Sequence, residues 1–233
     1  MHSVCLVSLI VTLLVCAGCT NTPNRVESEP VTRAATPVER PATADTRPII
    51  VAFGDSISEG LGVATGKSFP DQLQQKLDTS GFSYRVVNLG VSGDTTTGGV
   101  GRLDYAISMK PAVVILELGG NDGLRGIPVA STKANLEKMI GAFQKAGASV
   151  VLAGMTLPPN YGPEYIQQFE AAYKDLARKY KVTLIPFLME DILAQYKAKP
   201  GLMQSDGIHP TAEGHEIIAD TVMRYLQKVI KPG

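Results

Sequence analysis

Asp206 and His209 stand three positions apart in the block Asp206-Gly207-Ile208-His209-Pro210. Across a turn such a pair can face one way, and an imidazole held by a carboxylate is the base a serine hydroxyl needs to become a nucleophile. A matching serine is Ser56, in Gly54-Asp55-Ser56-Ile57-Ser58, at the end of an apolar run. Its backbone N–H, at the start of a turn, could donate to a developing oxyanion. The same residue equally suits a helix cap. The block is not a G-x-S-x-G elbow, because Ser58 stands where the last glycine would be.

Two further blocks carry groups that could bind an oxyanion. In Asn88-Leu89-Gly90-Val91-Ser92-Gly93-Asp94, Gly93 would let its N–H approach a substrate closely, although a plain glycine turn explains it as well. In Gly119-Gly120-Asn121-Asp122-Gly123, the Asn121 amide is a donor that cannot lose its proton; a loop-forming asparagine is the alternative. The other histidine downstream of the leader, His215, falls inside a helical pattern and is expected to face solvent. Asp55, Asp94, Asp122 and Asp206 all follow apolar runs, so a hard-metal site is conceivable. Asp55 and Asp94, however, have simpler supporting roles beside Ser56 and Gly93. A phosphate site after the first apolar run has only Gly60 and Gly62 in its favour.

Those blocks punctuate an alternation of short apolar runs and longer segments of helical period. Strands are predicted at Ile49–Phe53, Tyr84–Leu89, Ala112–Leu118, Ser149–Ala153 and Val182–Pro186, apolar on both faces as strands covered by helices must be. Helices are predicted at Phe69–Asp78, Gly98–Met109, Thr132–Lys145, Glu164–Tyr180 and Ala212–Val229. Within Thr132–Lys145 the apolar residues Leu136, Met139, Ile140 and Phe143 form one stripe. The alternation implies an α/β fold, a three-layer α/β/α sandwich around a parallel five-stranded sheet of flavodoxin-like type. Ligands of such sheets bind outside the carboxyl ends of the strands, where every one of these polar blocks falls.

Composition narrows the function further. The 233-residue chain has 22 basic and 22 acidic residues, so its zero net charge gives no reason to expect nucleic acid or a polybasic membrane patch. Its three cysteines, Cys5, Cys16 and Cys19, all lie near the start, which removes cysteine nucleophiles and Cys-ligated zinc from the domain beyond. Residues Val4 to Val15 form an apolar run too short to span a bilayer and suited to a signal-peptide core. It runs into Cys16-Ala17-Gly18-Cys19, which resembles a bacterial lipobox with Cys19 as the lipidated residue. Cys16 replaces the usual leucine there, no Lys or Arg precedes the run, and an ordinary cleaved signal is the alternative. Thr20 to Pro48 is rich in Thr, Pro, Ala and Glu without apolar periodicity, the composition of a disordered tether. The expected organisation is a signal peptide over residues 1–18, a tether over 19–47 and one domain over 48–233. The expected location is the periplasm, anchored through Cys19 to the outer membrane, or else soluble in the periplasm or secreted.

Taken together, Ser56, Gly93, Asn121 and His209 resemble in order and spacing the four residues that name the SGNH, or GDSL, hydrolases. Within that family the chain is similar to bacterial enzymes with thioesterase, arylesterase and lysophospholipase activity. That similarity is carried by Glu117-Leu-Gly-Gly-Asn-Asp-Gly-Leu-Arg-Gly126, Leu157-Pro-Pro-Asn-Tyr-Gly162 and Met203-Gln-Ser-Asp-Gly-Ile-His-Pro210. It covers the chain from about residue 48 onward and leaves out the leader. The resemblance implies a serine hydrolase of acyl esters or thioesters, with Ser56 as nucleophile, His209 as base and Asp206 orienting it. It also implies an oxyanion hole from the Ser56 and Gly93 N–H groups and the Asn121 amide, without metal or cofactor. Leu124, Ile127, Pro128, Leu157 and Pro158 fall in loops that should border the cleft and could line an acyl groove. The expected partners are a small-molecule or lipid acyl ester and, through Cys19, a membrane, with the domain acting as a monomer. A polysaccharide or peptidoglycan O-acetylesterase would instead prefer short acyl groups. A non-catalytic surface lipoprotein would have no need of Ser56, Asn121, Asp206 and His209 together.

Overall fold

The structure, a computed structural model, describes residues 45–232. The expected signal peptide, Cys19 and nearly all of the tether lie outside the described residues. The compact unit begins at Asp45, slightly before the expected boundary. Arg47 is already docked there, donating to the Tyr84 carbonyl at 3.2 Å and to Asp78 at 3.1 Å.

Five strands, β1 (Ile49–Gly54), β2 (Arg85–Asn88), β3 (Val113–Glu117), β4 (Ser149–Ala153) and β5 (Thr183–Ile185), lie within a residue or two of their predicted positions. They pair in parallel in the order β2-β1-β3-β4-β5. Strand alternation sorts their side chains into two cores. Ile50, Ala52, Val113, Ile115, Val151 and Ala153 face one layer of helices. Val51, Phe53, Val114, Leu116, Val150 and Leu152 face the other. Apart from Glu117 and Ser149 at strand ends, the central strands β1, β3 and β4 are apolar because both faces are covered. The edge strand β2 departs from that expectation: it is only half-buried and carries Arg85 and Asn88.

The first layer holds α2 (Phe69–Thr79), α8 (Glu190–Tyr196) and α9 (Ala212–Leu226). The second holds α3 (Thr96–Gly101), α4 (Leu103–Ser108), α6 (Val129–Lys145) and α7 (Pro163–Tyr180). The chain leaves β1 toward β2 through α2 and returns toward β3 through α3 and α4, so right-handed crossovers put these helices on opposite faces. The reversal makes the carboxyl ends of β1 and β3 a topological switch point. Short helices α1 (Ser56–Glu59) and α5 (Gly120–Leu124) start there. Like α8, neither was predicted, since elements this short carry almost no periodicity. Truncating a core residue such as Leu116 to alanine would cost about 2–5 kcal/mol.

One predicted helix is broken. Gly98–Met109 divides into α3 and α4 at Arg102, which leaves helical geometry at φ −112° and ψ 11°. Its guanidinium donates to Asp94 at 2.7 Å and to the Leu89 and Gly54 carbonyls at 2.7 and 2.8 Å. It also lies 4.0 Å over the Phe53 ring. One side chain thus ties the ends of β1 and β2 to the loop that carries Gly93.

Candidate active site

Ser56 is the first residue of α1, directly beyond the carboxyl end of β1. The cap of that helix is Asp55, whose Oδ1 accepts from the Ile57 N–H at 3.1 Å, so Ser56 is not used as a cap. Gly54 before it leaves no room for a Cβ, which would run into Ser58 Oγ and Glu117 Oε2. The turn therefore packs tightly on β3, and Ser56 is 8 % exposed.

Its Oγ lies 2.9 Å from His209 Nε2, although 153 positions separate the two residues. His209 sits in a loop closed by the antiparallel bridge Met203–Pro210 and by the Gln204 N–H donating to the His209 carbonyl at 2.8 Å. The Gln204 side chain crosses to the Ser56 side, donating to the Leu61 carbonyl at 2.7 Å and to that of Pro210 at 2.9 Å. On the far side of the ring, Nδ1 lies 2.6 Å from Asp206 Oδ2. Asp206 Oδ1 accepts the Ile208 and His209 N–H groups at 2.9 and 3.0 Å. These bonds, the His209 ring first, pull the Asp206 carboxyl down to a pKa of about 2. An ionised carboxylate can only accept, so the ring proton belongs on Nδ1 and Nε2 is left to accept from Ser56 O–H.

The expected oxyanion donors are held by separate means. Asn121 lies in the first turn of α5, not in a loop, and its Nδ2 donates to Asp55 Oδ2 at 3.0 Å. That bond uses one of two amide hydrogens. Gly93 has φ +75°, and Arg125 Nη2 donates to its carbonyl at 2.8 Å. A Cβ at Gly93 would meet only Arg125 at 3.6 Å, so left-handed backbone rather than crowding requires glycine here. Among the described residues neither the Ser56 nor the Gly93 N–H has a protein acceptor.

The four acids that could have formed a metal site are dispersed. Asp55 binds Asn121, Asp94 binds Arg102, Asp206 binds His209, and Asp122 accepts from Thr96 and Thr132. Among the described residues no group of three or more His, Cys, Asp or Glu could hold a metal ion.

Two expectations need correction. His215 does not face solvent: it is buried between α9 and α2, accepting the Phe69 N–H on Nδ1 at 3.2 Å. Burial, and then the nearby His209, lowers its pKa to about 4. A short polar stretch, Glu213-Gly214-His215-Glu216, hid an inward position. Leu157, expected on an acyl groove, is only 6 % exposed and packs against Gly123 and Phe169 in the second core. Leu124 and Ile127 are half-buried and Pro158 is exposed. Their loops are tied together by Tyr161 and Tyr165, which donate to the Leu124 and Ile127 carbonyls at 2.8 Å each. The exposed apolar side chains beside the Ser56, Gly93 and His209 blocks are instead Leu61, Val91 and Ile208. No periodicity marks them, because each is a lone residue in a polar loop.

A serine hydroxyl backed by an imidazole and a carboxylate, at the switch point of a doubly wound parallel sheet, defines a serine hydrolase of the three-layer α/β/α class. The chain belongs to the GDSL-like Lipase/Acylhydrolase family, whose model matches residues 52–217, and is an esterase of that family. It is 41 % identical over 182 residues to Esterase TesA of Pseudomonas aeruginosa, covering 78 % of this chain and 89 % of that one. It is 37 % identical over 192 residues to Thioesterase 1/protease 1/lysophospholipase L1 of Escherichia coli K12, covering 82 % and 88 % of the two chains. Among solved structures, esterase EstA from Pseudoalteromonas sp., inhibited by monoethylphosphonate, superposes with a TM-score of 0.72 at 32 % identity, covering 77 % of this chain and 97 % of that one.

Proposed function

We propose that Ser56 is the nucleophile of this esterase, with His209 as its general base and Asp206 holding the ring. The observation that carries this reading is the 2.9 Å approach of Ser56 Oγ to His209 Nε2, backed by Asp206 at 2.6 Å. As Oγ attacks the acyl carbonyl, its proton passes to Nε2, and Asp206 stabilises the resulting imidazolium. The tetrahedral oxyanion is received by the Ser56 and Gly93 N–H groups and by the free hydrogen of the Asn121 amide. His209 then returns the proton to the leaving alcohol or thiol. A water deprotonated by the same imidazole attacks the acyl-enzyme and releases the acid and Ser56.

The substrates proposed are aryl esters, acyl thioesters and lysophospholipids, after the activities named for the relatives. Leu61, Val91 and Ile208 would meet the acyl chain near the reacting carbonyl, with Leu124, Ile127 and Pro158 farther along. Hydrolysis of a p-nitrophenyl ester series of increasing acyl length by residues 45–233, with Ser56→Ala alongside, tests the reading. Medium or long chains should be preferred and Ser56→Ala should be inactive. A preference for acetyl would redirect the enzyme to O-acetylated polysaccharides.

The proposed setting is the periplasm, with a monomer tethered to the outer membrane by lipid on Cys19. The apolar run before Cys16-Ala17-Gly18-Cys19 and the tether composition support it. Among the described residues no helix is long and apolar enough to cross a membrane. Cys19→Ser should release the protein from the membrane fraction; unchanged association would discard the anchor.

A further inference from the structure

Glu117 is the last residue of β3, 0 % exposed at the end of a strand whose other members are all apolar. Its Oε2 accepts three bonds, from the Asp55 N–H at 3.1 Å, the Ser58 N–H at 3.2 Å and Ser58 Oγ at 2.7 Å. Its Oε1 is equally buried and has no partner among the described residues. Nor does any Lys, Arg or His there form an ion pair with it. A buried carboxylate oxygen without a donor is costly, whereas the same oxygen protonated becomes a donor itself. The neighbouring acid is Asp55, buried like Glu117 and tied to it by its own backbone N–H. It already accepts from the Ile57 N–H on Oδ1 and from Asn121 on Oδ2, with lone pairs to spare on both.

We infer that Glu117 holds a proton at neutral pH and donates it from Oε1 to Asp55, making it the positioning residue that aims the Asn121 amide at the oxyanion. The inference rests on the Ser56 mechanism above and assigns a further residue to it. Two adjacent buried carboxyls cannot both ionise cheaply. Burial and then the charge of Asp55 push Glu117 well above its ordinary value; burial raises Asp55 too, but the Ile57 N–H and the Asn121 amide donate to it and favour its charged form. The three donors to Oε2 favour ionised Glu117, yet a neutral acid still accepts on that oxygen, so protonation forfeits none of them. The other groups turned toward the pair are Ser58 from α1, Asn121 from α5, Tyr173 from α7, His209 from its loop, and Arg102 at the Gly54 carbonyl. Each end of the pair also grips backbone beside Ser56: Glu117 holds the N–H of Asp55 and of Ser58, and Asp55 that of Ile57.

The test joins infrared spectroscopy with kinetics. At pH 7 the wild-type protein should show the C=O stretch of a protonated carboxylic acid, and Glu117→Gln should lose it. Glu117→Leu should lower kcat by roughly 10-fold or more with little change in KM, because misaimed catalytic groups cost rate rather than binding. Glu117→Gln, whose amide can accept on one atom and donate from the other, should restore most of that loss. In an Asn121→Ala background, Glu117→Leu should add little further loss. Stability gives a second readout. The unfolded chain releases this proton above the ordinary value of 4.5, so wild-type stability should fall as pH rises past that point, and Glu117→Gln should flatten the fall. No acid band at pH 7, or Gln as damaging as Leu, would overturn the inference. Hydrolysis surviving in Ser56→Ala would sink the mechanism itself, whatever the band shows.

Discussion

Compared with the carboxyl ends of β1 and β3, which bury Asp55, Ser58 and Glu117, the Met203–Pro210 loop is buried only at its two ends and exposes residues 205–208. The surroundings of Ser56 are joined by long-range bonds, Glu117 to Asp55 and Ser58 and Asn121 to Asp55, across about sixty positions of chain. His209 is held chiefly by local ones, from Asp206 to His209 and Ile208 within three positions, with the Gln204 bond to the Leu61 carbonyl as the long-range tie of its loop. The Asp206 side chain is 45 % exposed. Shaping the proposed oxyanion site therefore belongs to the fold, while presenting the imidazole belongs mainly to one short loop. The two halves should respond differently to damage.

The largest effect is expected on the exposed side. His209→Ala should lower kcat on the order of 10⁴-fold or more, yet leave the melting temperature nearly unchanged, since no core packing is lost. A large drop in stability would break the contrast. Asp206→Asn should follow, short of the roughly 10⁴-fold loss known for a buried carboxylate in this role, because water reaches Asp206 and can replace part of its bond to the ring. On the buried side, Asn121→Ala should cost about 3–4 kcal/mol of barrier at unchanged KM. It should also loosen Asp55, which a fall in melting temperature would register.

The smallest effect sharpens the comparison through pH. His215 is held neutral down to about pH 4, whereas the unfolded chain takes up that proton below its ordinary value of 6.5. The unfolded state thus binds more protons in this window, and stability should fall as pH drops from 6.5 toward 4, by up to about 3 kcal/mol. His215→Leu should flatten that acid limb. Denaturant titrations of both proteins at pH 7 and pH 4.5 check it, and equal slopes would contradict the buried neutral assignment.

The contrast also governs what the sequence could reveal. Ser56, Asp206 and His209 were legible because few residues of their types occur in polar blocks after apolar runs, and the strands because both their faces are apolar. Glu117 was visible as an acid inside such a run, but its role depends on Asp55 and Ser58, which only the pairing of β1 with β3 brings near. The break at Arg102 has the same origin, since its acceptors come from three loops and strand ends. The inward positions of His215 and Leu157 are invisible in the sequence for a simpler reason. One inward-facing turn of helix or one loop residue shows no periodicity, and tertiary packing alone decides where it points.

The central claim is the activated hydroxyl at Ser56, and covalent capture tests it most directly. The domain should react with an ethyl fluorophosphonate to give one phosphonyl adduct per chain, mapped by mass spectrometry to the peptide containing Ser56. The adduct should vanish in Ser56→Ala and form far more slowly in His209→Ala. An adduct on another residue, or labelling undiminished in Ser56→Ala, would contradict the account.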